Sequence, residues 1–228
     1  LEIGGADAES AAWLRLGQLE HAAGDPDAAK AALQRAVVID GPGSGAARML
    51  ESLSESPHDW KLFASALDEH QPADEQQRVA AGLEVARILA DHCDDAEAAI
   101  EALEQRIRDG APHPGLRQEL ATRLRASGQY TRAIEQLQAV LALEPSHDTI
   151  WRELAITYES IGREREARVA SLPLLVMGLD DEGDRRRIQS AEPRPANVRP
   201  KSLRRAVLGR LGTPRPEDAA AGALLEAL

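Results

Sequence analysis

The chain has 228 residues and a formal net charge of −11; 43% of it is apolar but only 3% is aromatic. So few rings leave alanine, leucine and valine to fill the interior, which suits closely packed helices and argues against a sandwich or barrel. No apolar run reaches the roughly 18 residues that span a bilayer, and the single cysteine, Cys93, excludes an internal disulfide.

In chain order, residues 1–8 read as an N-terminal remnant, and a helical pattern is expected over 9–181. The first helix carries Trp13-x2-Leu16-Gly17, breaks at Gly24-Asp25-Pro26, and is followed by a second with Ala29-x3-Leu33-x2-Ala36-x2-Ile39. Spacings of three and four place these apolar residues on one face of each helix. Small Gly17 and Ala29 allow two backbones to approach closely. Gly41-Pro42-Gly43 stops the pair and Ser44 caps the next helix. Residues 44–73 lack a glycine break and offer Met49, Leu50, Leu53, Trp60, Phe63 and Leu67 as their apolar face. Residues 75–109 form a further pair broken at Asp94-Asp95. From Pro114 to His147, Leu116, Leu120, Ala121 and Leu124 precede the break at Gly128, and Tyr130, Ala133, Leu137, Val140 and Leu143 follow it. The last pair starts with Asp148 as cap and Trp151-x2-Leu154-Ala155-x2-Tyr158, breaks at Gly162, and continues through Ala167, Ser171 and Leu174. Pro173 is expected to kink its second helix.

The breaks recur. Gly24-Asp25-Pro26-Asp27-Ala28-Ala29, Asp94-Asp95-Ala96-Glu97-Ala98-Ala99, Gly128-Gln129-Tyr130-Thr131-Arg132-Ala133 and Gly162-Arg163-Glu164-Arg165-Glu166-Ala167 have final alanines 70, 34 and 34 residues apart. A period near 34 is the mark of a repeat architecture. These units resemble the tetratricopeptide repeat (TPR) family, whose pattern is W-x2-L-G-x2-Y, then A-x3-F, then P. Trp13, Leu16, Gly17, Ala29 and Leu33 carry one copy; Leu120, Gly128, Tyr130, Ala133, Leu137 and Pro145 a second; Trp151, Leu154, Tyr158 and Ala167 a third. The resemblance implies an all-α fold: a right-handed solenoid of about five antiparallel helix pairs over residues 9–181. Arg87 departs from the pattern, standing near where the family has a small residue.

Beyond Gly178 the pattern dissolves into a charge block, Asp180 to Arg187, and a proline-containing extension over 182–228 with two short helices, Ser202–Leu211 and Glu217–Leu228. This extension resembles the C-terminal flank of large bacterial multi-TPR proteins. The start at Leu1 without methionine reads as that of a fragment, and the absence of a basic-then-apolar leader makes the cytoplasm the expected location. Charge is uneven: residues 1–112 hold 22 acids and nine bases, whereas residues 185–215 hold ten bases and one acid, Glu192. Arg185–Arg187, Arg194, Arg199, Lys201, Arg204, Arg205, Arg210 and Arg215 could neutralise phosphates. With no aromatic residue after Tyr158 to stack on bases, nucleic acid is a minor reading. Folding back onto the acidic helices of 75–109, or plain solvation, accounts for these arginines as well.

Residues for chemistry are scarce. Of His21, His58, His70, His92, His113 and His147, no two lie three or four apart, so no helix face carries a two-histidine metal pair. His92-Cys93-Asp94-Asp95 reads as a helix end with a buried thiol, because adjacent helical residues point apart. Asp94-Asp95 and Asp180-Asp181-Glu182 lack calcium-loop spacing and read as helix-start charges. No nucleophile has a base in reach. No enzyme, no metal and no cofactor is therefore expected.

What remains is surface. The resemblance implies that the first helix of each pair lines a concave groove, here with Gln18 and His21, then Gln118, Thr122 and Arg125, then Arg152, Ile156 and Glu159. Arg125 and Arg152 are the expected anchors for an acidic peptide or terminal carboxylate, since a guanidinium binds carboxylates in bidentate fashion. The lysines and asparagines with which chaperone-binding family members clamp a carboxylate are absent there. The reading is a non-catalytic scaffold binding a protein segment, with a regulatory or adaptor domain of a larger enzyme as the alternative.

Overall fold

The computed structural model describes residues 3–72, 74–110 and 113–189. Among them it holds eleven α-helices and no strand: α1 (Ile3–Ala23), α2 (Pro26–Asp40), α3 (Gly45–Leu53), α4 (Pro57–Glu69), α5 (Glu75–Asp91), α6 (Ala96–Asp109), α7 (Pro114–Ala126), α8 (Tyr130–Leu143), α9 (Asp148–Ser160), α10 (Glu164–Met177) and α11 (Glu182–Gln189). The expected short helices at 202–211 and 217–228 lie outside the described residues. Helix α1 runs back to Ile3, through most of the stretch read as a remnant.

The recurring break has a common backbone. Gly24, Gly128 and Gly162 sit at φ of 85°, 75° and 71°, and Asp94 takes the same left-handed place at 52°. Aspartate is among the few side chains that tolerate this region. At the three glycines the next amide reaches back five residues: Asp25 N to Glu20 O at 3.0 Å, Gln129 N to Leu124 O at 2.8 Å and Arg163 N to Tyr158 O at 2.9 Å. This closes the orphan carbonyls of the preceding helix. The alanine that follows each break, at positions 29, 99, 133 and 167, is at most 2% exposed. Between α3 and α4 the left-handed turn is replaced by extended Ser54 and Ser56. There Ser56 and Asp59 cap each other's backbone amides, and Lys30 donates to Asp59 at 2.9 Å. That lysine, with the two serine contacts, holds the Asp59 carboxyl far below the usual carboxylate range.

The chain divides into two compact units, residues 1–119 and 120–228, with the boundary inside α7. In the first, α2 packs against α1, α3 and α4, and α5 against α4 and α6. Its core contains Leu33, Val37, Leu50, Phe63, Leu67, Val85 and Ile88, with Trp13 and Trp60 against it. A Cβ on Gly17 would come within 2.7 Å of Leu33 Cγ, so α1 and α2 approach as closely as the small residues allow. Arg87, the large residue at a small-residue place, lies at the surface and pairs with Glu84 at 2.7 Å and Glu51 at 3.3 Å.

In the second unit α9 packs against α8 and α10, and α10 against α11. Leu124, Ala133, Leu137, Val140, Ile150, Leu154 and Leu174 are buried. Two expectations change here. The cap of α9 is His147 rather than Asp148, and it makes no side-chain capping bond. The charge block after Gly178 is not irregular throughout: past non-helical residues 179–181 it enters helix α11. Pro173 sits within α10, which runs on to Met177.

Candidate functional site

Helix α9 sorts its residues by period. Ile150, Trp151, Leu154, Ala155, Thr157 and Tyr158 are buried against its neighbours, and Trp151 Nε1 donates to Pro145 O at 2.7 Å. Arg152 and Ile156 are left half-buried and Glu159 exposed. After α10, Gly178 adopts a left-handed φ of 71° and Leu179 N reaches back to Leu174 O at 2.9 Å. The chain then passes Arg152: Nη2 donates to Leu179 O at 2.8 Å, and Nε lies 3.3 Å from Asp181 Oδ2 and 3.5 Å from Asp184 Oδ2.

Asp181 and Asp184 also start α11. Asp184 N donates to Asp181 Oδ1 at 2.8 Å and Asp181 N to Asp184 Oδ2 at 3.2 Å, a reciprocal cap of the kind that opens many helices. The Asp184 amide, aided by Arg152, holds the Asp181 carboxyl below its ordinary value. Asp184 is fully buried, accepting from Ser171 Oγ at 3.2 Å and Arg187 Nη1 at 2.9 Å. Arg187 Nε in turn donates to Glu159 Oε2 at 2.9 Å. Two of the expected groove residues of α9, Arg152 and Glu159, thus both face partners from the α10–α11 segment.

This alters the expected site. Arg152 is not an open anchor but part of a charge cluster within its own chain. Arg125 on α7 is half-buried, with Nη1 3.8 Å from Glu153 Oε2 on α9. Thr122 is exposed and Gln118 half-buried along α7; Gln18 and His21 are exposed on α1, in the first unit. The acids that meet Arg152 were missed because the charge block lacks a periodic apolar face. Their signal was Asp181-x-x-Asp184, a pair spaced like a helix-opening cap. Arg185 and Arg186 pair with Asp180 and Glu182 of their own segment, each at 2.6 Å, while Arg187 pairs with Asp184 and with Glu159 of α9.

Each unit also has a concavity of its own. A shallow cleft of about 320 Å³ in the second unit is lined by Gln138, Leu141, Ala142, Trp151 and Leu154. A polar hollow of about 150 Å³ in the first unit includes Asp68, Arg78, Arg106 and Asp109, with Arg106 ion-paired to Asp68 at 2.9 Å. At the end of α5, His92 stacks on Trp60 with ring centroids 3.7 Å apart. Burial pushes the Cys93 thiol up, which disfavours the nucleophilic thiolate. Among the described residues no group of three or more His, Cys, Asp or Glu is placed to hold a metal ion, and no helix is long and apolar enough to cross a membrane.

The tetratricopeptide repeat pattern of known proteins matches this chain twice, over residues 10–41 and residues 114–157. No curated protein matches it. Among solved structures, the chain is similar to MamA, at 16% identity and a TM-score of 0.46, covering 82% of this chain and 97% of that one. It is also similar to YrrB, described as a TPR protein with an unusual peptide-binding site, at 14% identity and a TM-score of 0.49 over 78% of this chain and 90% of that one. A third is pilF of Pseudomonas aeruginosa, at 16% identity and a TM-score of 0.43 over 96% and 90%.

Proposed function

From a chain that carries tetratricopeptide repeats, a fold that generally mediates protein–protein interaction, we propose a non-catalytic scaffold whose α7–α9 face binds a carboxylate-bearing segment of a protein partner. The observation that carries this reading is Arg152. Its guanidinium already stands between two carboxylates of its own chain, which supports an acid-binding role for the face. Arg125 supplies a second, half-buried positive charge on the neighbouring α7. Charge-assisted hydrogen bonds to a guanidinium contribute roughly 1.5–3 kcal/mol each, which makes two arginines enough to select acidic from neutral peptides.

The test uses arrays of synthetic peptides of graded acidic content, with the full chain as ligand. Acidic peptides are expected to bind, and Arg125→Glu to weaken them by about tenfold or more, one such bond's worth. Binding that ignores acidic content, or that survives Arg125→Glu unchanged, overturns the reading. Arg152→Glu is the less clean variant, because it sets a third acid beside Asp181 and Asp184 and disturbs the fold of α11 as well.

A further inference from the structure

Helix α11 differs from the helices before it in what holds it down. Its sequence, Glu-Gly-Asp-Arg-Arg-Arg-Ile-Gln, offers one apolar residue larger than glycine, Ile188, and that residue is only half-buried. Polar attachments join it to α9 and α10: Asp184 to Ser171 and Arg152, Arg187 to Glu159, and Arg168 Nε to Arg187 O at 3.2 Å. Asp181 and Glu159 are both more than half exposed at the side chain. Their exposed ends are screened by salt, although Arg152 and Arg187 are 30% and 15% exposed and Asp184 is buried, so it is the exposed outer contacts that exchange most easily. The contact on Arg152 is also imperfect. Its Nε is buried and, among the described residues, has no hydrogen-bond acceptor, since the two carboxylates at 3.3 and 3.5 Å approach it outside hydrogen-bonding geometry. A carboxylate free to align with the guanidinium would fill that valence in the bidentate manner the side chain favours.

We propose that the segment Leu179–Arg187 is a displaceable internal stand-in for the partner, and that the partner segment carries two carboxylates three residues apart, matching Asp181 and Asp184. This rests on the reading of the α7–α9 face as an acid-binding surface. The segment follows α10 after Gly178 alone, and a short tether presents its segment at an effective concentration of the order of millimolar. A partner at micromolar concentration therefore engages only through better contacts, or once the internal acids are neutralised. The closed arrangement thereby rejects segments with a single acid.

The probe is a labelled, end-blocked peptide with the sequence of residues 179–189, titrated by fluorescence anisotropy into the full chain. The chain carrying Asp181→Asn and Asp184→Asn is expected to bind it at least about tenfold more tightly than the unaltered chain, because the internal competitor is weakened. Adding Arg152→Gln should abolish that gain. Because Asp184 is buried, Asp181→Asn alone serves as the variant that leaves the core intact, with a smaller gain in the same direction, and circular dichroism checks that helix content is kept. Equal affinity for unaltered and altered chains, with binding still lost on Arg125→Glu, overturns the stand-in while leaving the acid-binding face. Failure of the peptide to bind any form overturns both.

Discussion

Apart from α11, which opens on the reciprocal cap of Asp181 and Asp184, the two units begin their helices by different means. In the first, α2, α3, α4, α5 and α6 open on Asp25, Ser44, Ser56, Asp74 and Asp95, and each side chain accepts a backbone amide of the first turn. In the second, α8, α9 and α10 open on Gln129, His147 and Arg163, with no side-chain capping bond. A cap of the first kind contributes about 1 kcal/mol. The cores diverge in the same sense. The first unit buries Phe63 and Leu67 in a continuous apolar cluster. The second adds to its apolar core a buried carboxylate, Asp184, held between Arg152 and Arg187. Local and apolar terms make the first unit's helices largely self-sufficient. The end of the second is organised by charges that must find one another in space, and such contacts can be exchanged for those of another molecule.

The largest expected effect is in the apolar core. Phe63→Ala should lower stability by about 3–5 kcal/mol, since Phe63 is 2% exposed and its loss leaves a cavity. Urea unfolding measures this, and a change below about 1 kcal/mol would mean the first unit does not depend on that cluster.

Next comes the repeat register in the second unit. Ala133 is fully buried where the helix after the break begins, so Ala133→Trp should cost on the order of 1–3 kcal/mol by overpacking. Its neighbour Arg132 is half-buried and donates to Gln129 Oε1. Arg132→Trp should therefore have a measurable but smaller effect. Equal shifts in thermal midpoint for the two variants would contradict the assignment of the buried face.

The smallest effects address capping directly. Ser56→Ala removes one half of a reciprocal cap and should destabilise by about 1 kcal/mol. His147→Asp should do the opposite, by up to about 1 kcal/mol, because it places a capping acceptor at the start of α9 and removes a ring whose buried Nδ1 has no hydrogen-bond partner among the described residues. A loss of stability from His147→Asp would show that the second unit's helix starts are fixed by packing rather than left uncapped.

Much of the fold was legible from local order. The 34-residue spacing of Ala99, Ala133 and Ala167, with the earlier Ala29, located the helix pairs, because a left-handed turn followed by a small residue leaves a fixed chemical trace. The close approach of α1 and α2 at Gly17 and Ala29 could be read for the same reason: close approach demands a missing or small side chain. The Ser54–Ser56 break lacked the usual glycine, but Met49, Leu50, Leu53, Trp60, Phe63 and Leu67 still outlined the pair.

The candidate site was legible only in part. Arg125, Arg152 and Glu159 are singled out because the family resemblance implies a groove lined by first helices; periodicity by itself says only which residues a helix leaves uncovered by its immediate neighbours. It does not say what else covers them. Whether Arg152 faces water or the acids of a segment about 30 residues onward depends on where the left-handed turn at Gly178 sends the chain. It also depends on whether Asp181 and Asp184 can each serve a helix cap and a guanidinium at once. Those are contacts between residues with no shared period, so local order outlines the helices and most of their buried faces, with Leu16 and Leu143 left 39% and 45% exposed, and the tertiary structure alone decides which charges on the remaining faces are already taken.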